Sequence, residues 1–145
     1  MPKMLDLAQM IYRGELPPPP IAALLGFTLT SSAPGRATIA FEASERHANP
    51  MGTLHGGVFC DIADAAMGMA YASTLEEGET FTTLELKINF LKPFWRGRLV
   101  AAAHVVKGGR SVGLVECDIT DDHERLVARA TSTCMTLRGE QAKGR

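Results

Sequence analysis

The apolar run over residues 56–73 restricts the fold more than any other segment of the sequence. It reads GGVFCDIADAAMGMAYAS, contains no proline, and carries only two charges, Asp61 and Asp64. A run of this length is long enough for a helix, and a helix that is apolar on nearly all sides has to be buried. The chain must therefore build the rest of its structure around one central helix.

Strand-like segments lie before and after this helix. Alternation of apolar and polar residues predicts strands over residues 27–31 and 36–43. Later strands are predicted over residues 80–91, 97–107, 111–120 and 126–137. The short links between the later strands favour an antiparallel meander. One large sheet is enough to cover a lone apolar helix, so we predict an α+β hotdog fold, a curved antiparallel sheet wrapped around one long central helix.

The two ends of the chain are predicted to extend this single domain. Leu5, Ala8 and Tyr12 recur at helical spacing, and Gly14 followed by the prolines at 17–20 ends that helix. The length of 145 residues, with 46% hydrophobic residues, suits one domain. We therefore predict an N-terminal accessory helix and proline-rich connector at 1–20, one hotdog domain at 21–138, and a flexible C-terminal tail at 139–145.

Charge and cysteine content exclude several classes of protein. A formal net charge of −1 offers no basic surface for a phosphate backbone, so we expect no nucleic acid partner. We also expect no membrane partner, because no segment approaches the roughly 20 apolar residues of a membrane span, and no secretion signal. Cys60, Cys117 and Cys134 are odd in number and lack CxxC spacing. They predict reduced, buried thiols, no metal site, and a cytoplasmic protein.

The residues with the clearest chemistry lie at the start of the central helix. The sequence HANPMGTLHGG runs directly into it, and Gly56 and Gly57 would let a ligand approach bare backbone N–H groups. Such donors favour negative charge, including the oxyanion that forms when a thioester carbonyl is attacked. Asp64 is a carboxylate on an otherwise apolar helix, and it would attack the thioester or activate a water.

Helix geometry decides how these groups cooperate. Gly56 and Asp64 are separated by roughly 12 Å along one helix axis, whereas both must reach one carbonyl at about 3 Å. Two antiparallel copies related by a two-fold axis would bring the amides of one helix to the carboxylate of the other. The sequence therefore predicts a dimer with two equivalent sites between its subunits.

The segment HANPMGTLHGGVFCDIADAAMG resembles the signature of the phenylacetyl-CoA and 4-hydroxybenzoyl-CoA (PaaI-like) group of hotdog thioesterases. The shared pattern is N-P-x-G-x-x-H-G-G-x(6)-D, and the likeness extends over residues 21–137. It implies an enzyme that hydrolyses aryl- or medium- to long-chain acyl-CoA to free acid and CoA, without a cofactor. It also implies a homo-oligomer, either a dimer or a tetramer built as a dimer of dimers.

The same resemblance implies roles for five catalytic residues. The family's site residues correspond to Asn49, His55, Gly56 and Asp64 in this sequence. The backbone N–H of Gly56 would polarise the thioester carbonyl. Thr83 stands where the family often places a hydroxyl residue that holds the water or the carboxylate.

Residues that bind the substrate or its CoA portion are also implied. Gly57 belongs to the glycine pair of the motif. Similar enzymes hold the CoA phosphates with basic residues near a strand turn, which corresponds here to Lys107, Arg110 and Ser111. This expectation concerns the region more than any individual side chain.

Each site residue also has a plainer interpretation. In this interpretation Asp64 is a solvated helix residue, on a helix edge that Asp61 also exposes to water. His55 would then be only a helix cap, and Asn49 only a turn former. His47 is expected to be structural or exposed. Two other functions also stay open, a hotdog dehydratase or hydratase that uses His55 and Asp64 as an acid/base pair on a 3-hydroxyacyl thioester, and a non-catalytic acyl-CoA-binding module.

Overall fold

A computed structural model describes residues 3–145 of the chain, and within them it contains three α-helices and one six-stranded sheet. The helices are α1 (Met4–Tyr12), α2 (Pro20–Leu25) and α3 (Gly56–Ala72). The strands are β1 (Phe27–Ala33), β2 (Arg36–Ala43), β3 (Thr80–Phe90), β4 (Gly97–Gly108), β5 (Val112–Thr120) and β6 (Leu126–Leu137). Short 3₁₀ turns cover Glu45–His47 and Gly139–Ala142. The predicted helices and strands are all present, with bounds that differ by a few residues at most.

The six strands form one antiparallel sheet in the order β1-β2-β4-β5-β6-β3. β4, β5 and β6 pair in succession, which confirms the meander for these three strands. β3 instead pairs with β6 and forms one edge of the sheet, while β1 forms the other edge. The central helix α3 contacts all six strands, so the hotdog prediction is confirmed.

The buried side of α3 forms the centre of the core. Ile62, Ala63, Ala66, Met67 and Ala70 are fully buried there. They meet large sheet residues, including Phe41, Leu99, Val115, Ile119 and Val127. Burying a side chain as large as isoleucine or methionine stabilises the fold by about 1.5–3 kcal/mol. This burial, more than intrinsic helix propensity, holds α3 in place.

Gly113 in β5 lies directly against the ring of Tyr71 in α3. A Cβ atom at this position would lie 2.5 Å from the ring, so a larger residue would force the ring to move. The hydroxyl of Tyr71 shares a hydrogen bond of 2.7 Å with Thr136 Oγ1 in β6, which satisfies both buried groups. These contacts fix the C-terminal end of α3 beneath the β4–β5 hairpin.

The three cysteines are free thiols. Cys117 and Cys134 are buried as expected, whereas Cys60 is only partly buried. Burial raises the pKa of the Cys117 thiol to about 12, so this group stays protonated. Among residues 3–145, no helix is long and apolar enough to cross a membrane. The same residues contain no group of three or more His, Cys, Asp or Glu side chains placed to hold a metal ion.

Both terminal segments contact the hotdog domain. α1 packs against β1 and α3, and its Ala8 is buried. After β6, Ala142 in the last 3₁₀ turn is buried as well. The first two residues of the accessory segment predicted at 1–20 lie outside the described residues. The flexibility predicted for residues 139–145 stays a prediction.

Candidate active site

The polar loop between β2 and α3 is ordered by hydrogen bonds of Asn49. Its Oδ1 accepts from the N–H of Met51 at 3.0 Å and from the N–H of Thr53 at 3.2 Å. Its Nδ2 donates to Thr53 Oγ1 at 2.7 Å, and its backbone N–H donates to the carbonyl of Thr53 at 2.8 Å. Asn49 therefore fixes the shape of the loop, and one Nδ2 hydrogen is left for a ligand.

His47 has a structural position in the same loop. Its Nδ1 accepts from the N–H of Ser44 at 3.1 Å, and its Nε2 donates to the carbonyl of Leu25 at 3.1 Å, partners that assign the tautomer. Its ring also packs edge-on against Phe41, with the centroids 4.8 Å apart. Because both ring nitrogens are used inside the chain, His47 is structural, one of the two possibilities that the sequence left open.

The first turn of α3 leaves one backbone donor free. His55 is the N-cap, and its Nδ1 accepts from the N–H of Gly57 at 2.9 Å. This bond assigns the proton of the neutral imidazole to Nε2, and the side chain is exposed. The N–H of Gly56 has no acceptor in the described part of the chain. The Gly57 amide is therefore engaged, and the Gly56 amide is available to a ligand.

An aromatic wall stands beside this free donor. A Cβ atom at Gly56 would lie 3.1 Å from Phe90 Cζ, so the glycine allows the ring to come close. Phe90 packs edge-on against Phe59, with the ring centroids 5.8 Å apart, yet Phe90 is still 54% exposed. A pocket of about 340 Å³ opens here, bordered by both rings and by residues 91–94. Phe90 is a site residue that the sequence did not reveal.

Lys92 borders the same pocket and is positioned by Asp121, which is another feature that the sequence did not reveal. Lys92 Nζ lies 3.0 Å from Asp121 Oδ2, and the Asp121 side chain is only 4% exposed. Burial alone would raise the pKa of Asp121. Hydrogen bonds from the N–H groups of Arg125 and His123 and from the side chains of Lys92 and Arg125 outweigh it and hold this pKa well below its usual range. Asp121 therefore stays ionised and fixes a cation near Gly56.

Asp64 lies on the face of α3 that meets β3. Thr83 Oγ1 donates a hydrogen bond of 3.3 Å to Asp64 Oδ1. Partial burial raises the pKa of the Asp64 carboxyl above its ordinary range; the hydrogen bond from Thr83 lowers this pKa, and the charge of Asp61 raises it. Burial also raises the pKa of Asp61, and no side chain in the described residues donates a hydrogen bond to this carboxylate. The hydrogen bond from Thr83 thus distinguishes Asp64 from its acidic neighbour.

Two recesses meet at Asp64. A shallow cleft of about 270 Å³ lies between α3 and β3 and includes Thr83. A larger cavity of about 860 Å³ extends between α3, strands β1 and β2, Phe81 of β3, and the N-terminal segment. Its walls are mainly apolar. A carboxylate in the wall of a large apolar cavity suits a substrate whose reactive carbonyl is joined to an apolar group.

The structure places the five predicted catalytic residues, together with Gly57 from the predicted substrate-binding set, in two groups. The first group consists of Asp64 and Thr83. The second group lies at the N-terminal end of α3 and consists of Asn49, His55, Gly56 and Gly57. The helix separates the two groups by roughly 12 Å. Gly56 and Asp64 lie on one continuous helix, so helix rise sets this separation, and how the two groups reach one substrate stays a prediction.

The residues predicted to bind CoA phosphates lie apart from both groups. Lys107, Arg110 and Ser111 are exposed on the β4–β5 hairpin, beside the C-terminal end of α3. The carbonyl of Arg110 accepts a hydrogen bond of 2.6 Å from Arg138 Nη2. None of the three borders the recesses at Asp64 or Gly56 in the described structure. Their role in binding stays a prediction.

The sequence matches known proteins over most of its length. The thioesterase superfamily matches residues 51–128, a range that includes Gly56, Asp64 and Thr83. Human acyl-coenzyme A thioesterase 13 is 32% identical over 108 residues, which cover 73% of this chain and 76% of that protein. The 1,4-dihydroxy-2-naphthoyl-CoA hydrolase of Listeria monocytogenes is 31% identical over 109 residues, which cover 75% of this chain and 89% of that protein.

Solved structures share the fold. A thioesterase family protein from Silicibacter pomeroyi is similar with a TM-score of 0.81 and 31% identity, covering 91% of this chain and 99% of that one. The Escherichia coli PaaI protein from the phenylacetic acid degradation operon gives a TM-score of 0.82 and covers 94% of this chain and 97% of that one. Its identity is 23%, so this second likeness concerns the fold alone.

Proposed function

This chain belongs to the thioesterase superfamily, and from that membership we propose that it hydrolyses acyl-CoA thioesters to a free acid and CoA. The observation that carries the proposal is the position of Asp64, a carboxylate that accepts a hydrogen bond from Thr83 and lines a large apolar cavity. The human and Listeria relatives are both named for action on CoA thioesters, which supports the same substrate class here.

Gly56 and His55 are proposed to activate the thioester. The free N–H of Gly56 donates to the carbonyl oxygen, and the exposed Nε2–H of His55 provides a further donor near it. Negative charge develops on this oxygen when the carbonyl carbon is attacked, and fixed donors stabilise that charge more than they stabilise the ground state. Asn49 serves this group indirectly, because its hydrogen bonds hold the loop that leads into His55.

Asp64 is proposed to start the bond-breaking step in one of two ways. As a nucleophile it forms an acyl-aspartyl anhydride and expels the CoA thiolate, which takes up a proton; water then hydrolyses the anhydride. As a general base it takes a proton from a water whose oxygen attacks the carbonyl, and the tetrahedral intermediate expels the thiolate. Thr83 orients the carboxylate in either case. A raised pKa makes Asp64 a better proton acceptor than an ordinary aspartate.

We place the two groups of each site on different subunits of a homodimer. The separation of roughly 12 Å along α3 prevents one chain from supplying both. The edge strand β3 carries Thr83 together with Leu84 and Phe90, which are 52% and 54% exposed. Pairing at this edge would cover these apolar side chains and set two copies of α3 antiparallel. Two such dimers would form the tetramer that the resemblance also allows.

The remaining predicted residues have supporting roles in this proposal. Gly57 leaves room for the helix cap, because a Cβ atom there would lie 3.0 Å from His55 Nδ1. Lys107 and Arg110 supply exposed positive charge, and Ser111 a hydroxyl, for the phosphates of CoA. The proposed chemistry uses no cofactor. The free thiols support a cytoplasmic location, where thiols stay reduced.

Thiol release measured on a panel of aromatic and aliphatic acyl-CoAs tests this function. We expect one CoA thiol for each acid formed. Conversion of a 3-hydroxyacyl-CoA to an enoyl-CoA with no thiol release would identify a dehydratase instead. Tight binding of acyl-CoA with no turnover would identify a binding module. Either of these results would overturn the proposal.

A further inference from the structure

The apolar cavity beside Asp64 is bordered on one side by the N-terminal segment, which we define as the end of α1 and the connector to α2, residues 11–19. The cavity has a volume of about 860 Å³, within the range of sites that enclose a drug-sized ligand. Its opposite wall is α3. Strands β1 and β2 and Phe81 of the edge strand β3 complete it. Both edge strands of the sheet, β1 and β3, therefore contribute to the walls of this cavity.

The wall that α3 contributes changes character along the helix. The residues that face the cavity follow helical spacing and are Asp61, Asp64, Ala65, Gly68 and Met69. The two acids stand at one end of this stripe, and small or apolar residues follow it toward the C-terminal end of α3. Asp64 therefore marks the reacting end of the cavity, and the space beyond it accepts an apolar group.

The N-terminal segment reaches the cavity through a defined turn. Gly14 has φ of +74°, the left-handed conformation that reverses the chain after α1, and the N–H of Glu15 donates to the carbonyl of Met10 at 2.8 Å. Leu16 and the prolines at 17–19 then border the cavity. Proline has no N–H and a fixed φ, so this part of the wall is stiff and leaves no backbone donor unpaired toward apolar space.

We infer that this cavity binds the alkyl chain of a long-chain aliphatic acyl-CoA, and that the N-terminal segment is the wall that sets chain-length preference. The inference rests on the proposed thioesterase function. Beyond Asp64, Phe27, Leu29, Ile39 and Ala65 give the cavity apolar walls, while the polar side chains of Tyr12, Glu15 and Thr28 also border it. Against the apolar walls a hydroxylated aromatic acyl group would lose hydrogen bonds to water, whereas an alkyl chain loses none.

Chain length should therefore govern turnover. Each methylene group that moves from water into an apolar site contributes about 0.8 kcal/mol, which corresponds to about fourfold in kcat/KM. We expect kcat/KM to rise steeply from butanoyl-CoA through octanoyl-CoA to dodecanoyl-CoA, and to level off once the cavity is full. Benzoyl-CoA and phenylacetyl-CoA should fall below dodecanoyl-CoA.

A matched pair of variants tests the N-terminal wall. Ile11 lines the cavity, whereas Leu24 in α2 does not line it and is 72% exposed. Ile11→Asp should lower kcat/KM for hexadecanoyl-CoA by about tenfold or more, because a charge then faces the alkyl chain. Butanoyl-CoA should change by less than about twofold. Leu24→Asp should leave the whole series unchanged. Equal effects of the two variants, or an equal loss at all chain lengths, would overturn the inference.

A second variant examines the opposite wall and does not depend on α1. Met69 lies about 7 Å along the helix axis from Asp64, far enough to leave the reacting end intact. Met69→Trp should shorten the cavity and shift the preferred substrate to a shorter acyl chain. An unchanged length profile in folded Met69→Trp would contradict the inference. Wild-type turnover that does not depend on acyl-chain length would also contradict the inference. Absence of thiol release from every acyl-CoA would instead refute the proposed function.

Discussion

At the N-terminal end of α3 the polar groups of the preceding loop are paired inside the chain, whereas at the Asp64 face a carboxylate with one hydrogen bond borders a large apolar cavity. The first region offers a free backbone donor, the N–H of Gly56, in a loop and helix end that hydrogen bonds hold in place. The second offers an acid whose pKa is raised by partial burial. The difference assigns the stabilisation of charge to one region and the attack on the substrate to the other.

The largest effect is expected at the acidic face. Asp64→Asn keeps the shape of the side chain but removes the group that attacks or accepts the proton, so kcat should fall by roughly 10²–10⁴-fold. Asp61→Asn is the matched control, one helical turn away and without the Thr83 hydrogen bond. It should retain activity within about tenfold. Equal losses in the two variants would remove the distinction between the two acids.

The same substitution should not weaken the fold. The pKa of Asp64 is higher in the folded chain than in an unfolded one, so deprotonation is less favourable in the folded state. The protonated form of Asp64 contributes stability to the fold at pH values below the pKa that Asp64 has in the unfolded chain. This contribution is lost as the pH rises through the pKa that Asp64 has in the folded chain. At neutral pH, Asp64→Asn should therefore unfold at an equal or higher temperature. A large drop in the melting temperature would indicate a structural role instead.

The next effect concerns the free donor at the other region. Gly56 is the first residue of α3, a position that accepts proline, and His55 before it is already extended, with φ of −62° and ψ of 135°. Gly56→Pro removes the N–H and should lower kcat by about 10²–10³-fold. Gly56→Ala keeps the N–H but moves Phe90, so it should lose much less. If the two variants lose the same activity, crowding and not the lost donor explains the effect.

A smaller effect is expected where Thr83 touches Asp64. Thr83→Val removes the hydrogen bond and should cost about tenfold in kcat/KM. The bond favours the ionised carboxylate, so its loss should raise the pKa of Asp64 further. The fall of activity at acid pH should then begin at a higher pH in Thr83→Val than in the wild type, while Thr83→Ser keeps the wild-type profile. If the fall of activity at acid pH is not shifted in Thr83→Val, a group other than Asp64 controls that fall.

The smallest effect on turnover is expected in the loop. Asn49→Ala removes the contacts to Met51 and Thr53 and should lower the free energy of unfolding by about 1–3 kcal/mol, measured by urea denaturation. Because Asn49 supports the Gly56 end and does not attack the substrate, kcat should fall only severalfold. A loss as large as that of Asp64→Asn would mean that Asn49 contacts the reacting group directly.

The features that the sequence predicted correctly depend on local patterns. The apolar run at 56–73 predicts a buried helix, and the alternation of apolar and polar residues locates each strand within a few residues. The separation of Gly56 and Asp64 also follows from helix rise alone. These predictions succeed because periodicity and helix geometry are properties of neighbouring residues.

The features that it missed depend on contacts between distant residues. β3 lies at the edge because Thr80 pairs with Leu137, a long-range register that short links do not reveal. The ion pair of Lys92 and Asp121 likewise joins two different turns. The helix cap by His55 was one of the alternatives that the sequence left open, although histidine is outside the Ser, Thr, Asp and Asn residues that usually cap helices. Only the structure shows that the cap engages the amide of Gly57.

The intersubunit site is tested most directly by mixing two inactive variants. Asp64→Asn and Gly56→Pro, each nearly inactive alone, are combined in equal amounts under conditions that allow subunits to exchange. A mixed dimer then contains one site with both residues intact and one site with both altered. With random exchange, half of the dimers are mixed, so we expect recovery of about one quarter of the wild-type activity per subunit. No recovery despite demonstrated exchange would show that Gly56 and Asp64 do not act across the subunit interface.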